Sequence, residues 1–275
     1  MSDFFNQIST MFSYSFMVRA IFIGGLVALC AALLGVILVL KRYSMIGDGL
    51  SHVSFGAMAI GLAFNQAPLY VAIPVVIVAA YLLLRVSENS KIKGDAAIGL
   101  ISSSSVAIGI IINTLSNGTN IDLSSYMFGS ILAIGKEDAI LCIILGIIIL
   151  VLFVYFYHYI FSITFDESFA KATGIKIDVY KTLLAILTAL TIVIGMRIMG
   201  TLLISSLIIF PAITAMRLFK RFRIVLAAAV VIAMVSYFAG MTASYMLAIP
   251  TGASIVVCNL IAFIIATIAA RVLKR

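Results

Sequence analysis

The stretch "AILCIILGIIILVLFVYFY", residues 139–157, runs for nineteen positions without a charged side chain. An α-helix rises about 1.5 Å per residue and the hydrocarbon core of a bilayer is about 30 Å thick, so this run reads as a membrane-spanning helix. Lipid offers no water to backbone N–H and C=O groups, and a helix satisfies them internally. The run belongs to an apolar segment at 137–161, and eight more segments of the same kind flank it: 13–40, 48–64, 68–86, 95–115, 182–199, 201–218, 224–247 and 252–272. The chain is 64% hydrophobic and only 10% charged, with a mean hydropathy of +1.27; a soluble domain is nearer one half and one quarter. The sequence therefore predicts an all-α, polytopic membrane helix bundle with about nine transmembrane helices. The count falls to eight if 182–199 and 201–218 run together through "MRIMGT", where Gly200 is the expected turn.

A formal charge of +8 raises the question of nucleic acid, but the placement of the basic residues answers it. They cluster between apolar runs, as the positive-inside rule requires. With the N-terminus outside, five cytoplasmic segments carry Lys41 and Arg42; Arg85, Lys91 and Lys93; Lys171, Lys176 and Lys181; Arg217, Lys220, Arg221 and Arg223; and Arg271, Lys274 and Arg275. Arg19, Lys136 and Arg197 fall near the outer ends of their spans. Nine crossings with a cytoplasmic C-terminus follow, and eight would spoil the count. The outer connections "NQA" (65–67), "SNGTNID" (116–122) and "IPTG" (249–252) are too short to form a domain, so 1–275 is expected to be one transmembrane domain. "SSYMFGSILAIG", 124–135, is too short to span and reads as an interfacial or re-entrant helix. The N-terminal "MSDFFNQISTMF" lacks the basic region of a signal peptide, so no cleavage is expected. Cys30, Cys142 and Cys258 lie far apart inside apolar runs and read as small hydrophobes rather than a disulfide framework.

Within this apolar chain, "YSMIGDGLSHVSFGAMAIG" (43–61) places Asp48 and His52 one helical turn apart on one face. An ionised residue in the middle of a membrane helix costs about 2.5–3.5 kcal/mol on insertion scales, so it is normally paired, protonated or used. One carboxylate oxygen and one ring nitrogen suit a divalent cation. The pair also reads as a helix N-cap with a hydrogen-bonded core histidine. Two ligands do not complete a metal site, but two copies of the helix facing a two-fold axis would offer four. Gly47, Gly49, Ser51, Ser54, Gly56 and Ala57 around the pair are small enough for close helix packing. His158, in "VYFYHYIF", reads as an interfacial residue.

The longest polar stretch is "SITFDESFAKATGIKIDVYK", 162–181. Thr164 and Glu167 have the spacing of a capping box, Asp166 adds a second acid to the first turn, and Gly174 offers a left-handed stop. Between them the sequence predicts a short amphipathic helix at about 165–173, with Phe165, Phe169 and Ala170 as its apolar contacts. It reads either as an ordinary interfacial loop or as a docking helix for a cytoplasmic partner. G-x4-G-K-[ST], HExxH and G-x-S-x-G motifs are missing from the chain, so no ATPase, zinc-protease or serine-hydrolase site of those kinds is written in it. An enzyme is not expected.

Four stretches in order, "KRYSMIGDGLSHVSFGAMAIG", "DESFAKATGIKI", "MGTLLISSLIIFPAITAMRL" and "SYMLAIPTGASIVV", resemble the membrane permease subunits of ABC importers for zinc, manganese and related divalent metals. The resemblance runs from about residue 12 to the end. Members often carry Leu-Pro-Gly shortly after the histidine, where this chain has Ser54-Phe55-Gly56. The resemblance implies a fold related to the cobalamin and iron-chelate type of ABC importer permease. It also implies a homodimer in a bacterial cytoplasmic membrane, cytoplasmic ATP-binding subunits that hydrolyse the ATP, and an extracytoplasmic metal-binding protein. Asp48 and His52 would be the ligands of transported Zn2+ or Mn2+, with no permanently bound cofactor. Phe165, Asp166, Glu167, Phe169, Ala170 and Gly174 would form the ATPase-coupling helix within 162–181, and Gly200 and Pro211 would act as helix breaks or hinges. The competing expectations are a permease for an iron chelate or cobalamin, and an ATP-independent, proton-coupled carrier.

Overall fold

The computed structural model describes residues 12–89, 94–116 and 135–272. Among these residues the chain is helical, without a strand. The helices are α1 (Ser15–Leu40), α2 (Ile46–Ala63), α3 (Pro68–Asn89), α4 (Gly94–Leu115), α5 (Lys136–Tyr155), α6 (Tyr157–Phe165), α7 (Glu167–Ala172), α8 (Ile177–Met199), α9 (Thr201–Leu218), α10 (Phe222–Leu247) and α11 (Thr251–Val272). Seven of them (α1, α4, α5 and α8–α11) are long and apolar enough to cross a membrane. α3 contributes a shorter apolar stretch, Pro68–Leu84. α2 is more polar because it carries Asp48, His52, Ser51 and Ser54. Apart from Gly135, the expected helix at 124–135 lies outside the described residues, as do Lys91, Lys93, Lys274 and Arg275.

α1 and α8 form the buried centre, and α4, α5 and α11 expose most of their apolar surface. α2 packs on α3, α4, α8 and α9, while α9 packs on α1, α10 and α11. Close approach of α2 and α4 depends on glycine. A Cβ on Gly56 would run into the backbone oxygen of Ser105, and one on Gly109 would lie 2.7 Å from Gly56 Cα. Such backbone-to-backbone contact is how helices associate in lipid, where burial from water gives no driving force.

α1 ends with Arg42 in the left-handed region (φ 62°). Its N–H bonds Val39 O at 3.0 Å and that of Tyr43 bonds Leu38 O at 2.7 Å, so the last carbonyls of α1 are satisfied. The chain then re-enters the bundle. A Cβ on Gly35 of α1 or on Gly47 of α2 would meet Ile208 of α9. The start of α2 is therefore roughly level with Gly35, about 7.5 Å short of the end of α1, which sets Asp48 alongside α1 rather than beyond its end.

At Gly200, φ 85° and ψ 166° end α8 and begin α9. Gly195 and Ile204 pack together, since a Cβ on the glycine would overlap Ile204 Cδ1. In one straight helix those residues would stand about 13 Å apart along the axis, so the chain folds back here and the two segments are separate helices. The expected single segment at 137–161 is divided at Phe156. The cause lies in distant rings: Tyr157, Phe161 and Phe165 of α6 pack on Phe222 at the start of α10, with centroids 5.9, 5.1 and 5.4 Å away.

Three ion pairs mark the opposite ends of α8. Lys181 near its start and Lys41 at the end of α1 both reach Glu167. Arg197 near its last turn pairs with Asp138 of α5 at 2.8 Å. Sixteen residues of helix separate Lys181 from Arg197, about 24 Å.

Candidate functional site

Asp48 lies in the first turn of α2 and His52 one turn later. Oδ2 of Asp48 is 3.8 Å from Nε2 of His52, and the two side chains remain 40% and 28% exposed. Both line a groove of about 640 Å³ between α2 and α4, to which α4 contributes the small residues Gly99, Ser102, Ser103 and Ala107 and the apolar Ile98, Val106 and Ile110. Small α4 residues leave this space open beside the pair. The N-cap alternative fails, because Met45 is the N-cap of α2 and no side chain caps that end. The Asp48 carboxylate instead accepts a hydrogen bond from Ser205 Oγ of α9, 3.2 Å from Oδ1. Ser51 Oγ donates to the Asp48 backbone carbonyl at 2.7 Å, and Ser54 Oγ meets Met196 Sδ of α8 at 3.5 Å. α2 continues unbroken through Ser54, Phe55 and Gly56.

Among the described residues no three His, Cys, Asp or Glu side chains cluster as a metal site. One chain thus brings one carboxylate and one imidazole to the groove. Ligand atoms of a tetrahedral ion at about 2.1 Å stand roughly 3.4 Å apart. The 3.8 Å between Oδ2 and Nε2 is within a small side-chain movement of that spacing. His158 lies elsewhere, in α6 against Tyr157 with ring centroids 5.5 Å apart.

The segment after α6 forms a separate cluster. The expected capping box is displaced: Thr164 still belongs to α6 and donates to Ile160 O at 2.6 Å, and Asp166 is the N-cap of α7, its Oδ1 accepting from Phe169 N–H at 2.9 Å. The expected helix at 165–173 contracts to Glu167–Ala172. Gly174 holds φ 84° as its stop, with Gly174 N–H on Lys171 O at 3.1 Å and Ile175 N–H on Ala170 O at 3.0 Å. Ala170 is fully buried, whereas Phe165 and Phe169 are 57% and 61% exposed. Glu167 is held by Lys41 and by Lys181, the latter at 2.8 Å. Burial alone would raise its pKa, but the hydrogen bonds and charges of the two lysines outweigh that and hold it below the usual glutamate range. Of the two expected breaks, Gly200 ends a helix, while α9 runs through Pro211 without ending.

Sequence spacing could not show Ser205, which is 157 positions from Asp48. Nor could it show that Lys41 and Lys181 share one acid.

The model of the ABC 3 transport family matches residues 13–270 of the chain. The high-affinity zinc uptake system membrane protein ZnuB of Haemophilus influenzae is 33% identical over 90% of this chain and 94% of its own. The manganese transport system membrane protein MntC of Halalkalibacterium halodurans is 30% identical over 92% and 86% respectively. In the solved structure of PsaBC from Streptococcus pneumoniae in complex with Fab, a chain of the same fold superposes with a TM-score of 0.85 at 29% identity, covering 95% of this chain and 94% of that one.

Proposed function

This chain belongs to the ABC 3 transport family, and on that premise we propose that it is the membrane-spanning subunit of an ATP-driven importer carrying zinc or manganese into the cytoplasm. It works as a homodimer in a bacterial cytoplasmic membrane. Separate cytoplasmic subunits hydrolyse ATP, and an extracytoplasmic metal-binding protein delivers the ion. The observation that carries this reading is the incomplete ligand pair: Asp48 and His52 share one groove, 3.8 Å apart, on a face that stays open. A second copy meeting it there supplies two further ligands. Four ligands of mixed oxygen and nitrogen type suit a borderline divalent ion. The named relatives, a zinc uptake protein and a manganese transport protein, support the same cargo.

The charge pattern supports the orientation. Lys41 and Lys181 meet at Glu167 on one side of the bundle and Arg197 meets Asp138 on the other, which agrees with Lys41 and Lys181 being cytoplasmic. α2 and α3 complete nine crossings, and the C-terminus lies inside. α7 lies at the cytoplasmic end, with Phe165 at the end of α6 and Phe169 within α7 exposed, and that pair forms the contact for the ATP-binding subunits.

Transport proceeds by alternating access. The ion enters while the outer mouth is open, exchanges part of its hydration shell for Asp48 and His52 of both copies, and is released inward when ATP binding and hydrolysis in the partner move α7. Holding must be moderate, because a site that binds too tightly does not release. Asp48→Ala and His52→Ala each abolish uptake of radiolabelled zinc or manganese in cells while the chain still reaches the membrane in normal amount. Wild-type uptake by either variant would contradict the assignment.

A further inference from the structure

Among the described residues, several hydroxyls inside the apolar helices are spent locally. Ser102, Thr191 and Thr214 donate to the carbonyls of Ile98, Leu187 and Phe210, each four residues back, at 2.7, 2.9 and 2.6 Å. This is the ordinary fate of serine and threonine inside a helix. Ser205 is placed differently. Its Oγ lies 3.2 Å from the Thr201 carbonyl four residues back and also 3.2 Å from Asp48 Oδ1 on another helix. A hydroxyl has one proton, so the two acceptors compete for it.

We infer that Ser205 is a positioning residue for Asp48, one that holds the carboxylate ready in the empty site and turns away from it as the cation binds. The inference rests on the assignment of Asp48 as a metal ligand. With no cation present, the anionic carboxylate is the stronger acceptor, because hydrogen bonds to charged groups are roughly twice as strong as neutral ones. Donation to Oδ1 fixes the rotation of the carboxyl group and leaves Oδ2 turned to His52 Nε2, the spacing from which chelation needs little movement. When a divalent ion takes the carboxylate, its charge weakens Asp48 as an acceptor. The proton then moves to Thr201 O, an acceptor already in range, and a lone pair of Oγ faces the site. No buried group loses its partner in this exchange. α9 starts at the Gly200 break, five residues before Ser205, so occupancy of the site is felt by the helix whose start is conformationally permissive.

The test uses the permease reconstituted in proteoliposomes with its ATP-binding subunits and metal-binding protein, with zinc and manganese ions as probes. Ser205→Ala raises the half-saturating metal concentration about tenfold, while turnover at saturating metal falls less than about twofold. Ser205→Thr, which keeps the hydroxyl, restores the wild-type value. A half-saturating concentration unchanged in Ser205→Ala, or a loss confined to turnover, overturns the inference, as does Ser205→Thr behaving like Ser205→Ala. If Ser205→Ala does not assemble, Ser205→Cys, which fills the space with a weak donor, is read by the same criteria. Asp48→Ala is run in parallel. Its full activity sinks the ligand assignment and this inference together, whereas an inactive Asp48→Ala beside an unaltered Ser205→Ala sinks the inference alone.

Discussion

Glu167 is a residue whose chemistry is set by its neighbours. Two lysines from different helices converge on its carboxylate, Lys41 almost fully buried and Lys181 four-fifths buried. Their hydrogen bonds hold its pKa below the usual range, against the pull of burial. A carboxylate with a depressed folded-state pKa contributes stability that is complete above its unfolded pKa and is lost as pH falls through the folded value. The tie between α7, α1 and α8 therefore loosens as pH drops below the usual glutamate range. Glu167→Gln removes this contribution at neutral pH and flattens the acid limb of the thermal-stability profile of the purified protein in detergent. An acid limb identical to wild type would show that the carboxylate does not anchor α7. That Asp48 and His52 share one helical face was legible from spacing alone, because four residues make about one helical turn. Ser205 was not, since nothing local relates it to Asp48. At Thr164 the sequence misled for a physical reason. Thr164 and Asp166 are both good N-cap residues, and which one caps depends on where α6 stops, which the rings around Phe222 decide.

At the scale of elements, apolar length located the helices well because lipid forces each crossing to satisfy its own backbone. It could not locate breaks that arise from packing. The division at Phe156 follows from aromatic contacts with α8 and α10: Phe156 meets Tyr180 at 5.7 Å and Tyr157 meets Phe222 at 5.9 Å. The re-entry of α2 above the end of α1 follows from two glycines meeting Ile208. The break at Gly200 was legible because glycine alone adopts its dihedrals freely: φ 85° with ψ 166° lies in a region essentially closed to other residues. Gly200→Ala is therefore expected to destabilise the protein by about 1–3 kcal/mol, read as a lower midpoint of thermal unfolding in detergent. An unchanged midpoint would mean that the α8–α9 turn relaxes into another conformation without cost.

At the scale of the whole molecule, the open groove beside Asp48 and His52 and the exposed Phe165 and Phe169 are two surfaces at different places on one helix bundle. In the proposed function a second copy of the chain completes the first and the ATP-binding subunits cover the second. α8 links them, packing on α7 at one end and on α2 further along, so a displacement of α7 reaches the helix that carries Asp48 and His52. The pairing of copies is the central claim, and the coordination shell of the bound ion reports it most directly. X-ray absorption at the metal edge of the purified complex loaded with zinc or manganese is predicted to show one ion for every two chains. Imidazole scattering from two histidines and carboxylate oxygens should appear in the shell, and the imidazole signal should vanish in His52→Ala. An ion bound once per chain, or a shell unchanged by His52→Ala, would contradict it.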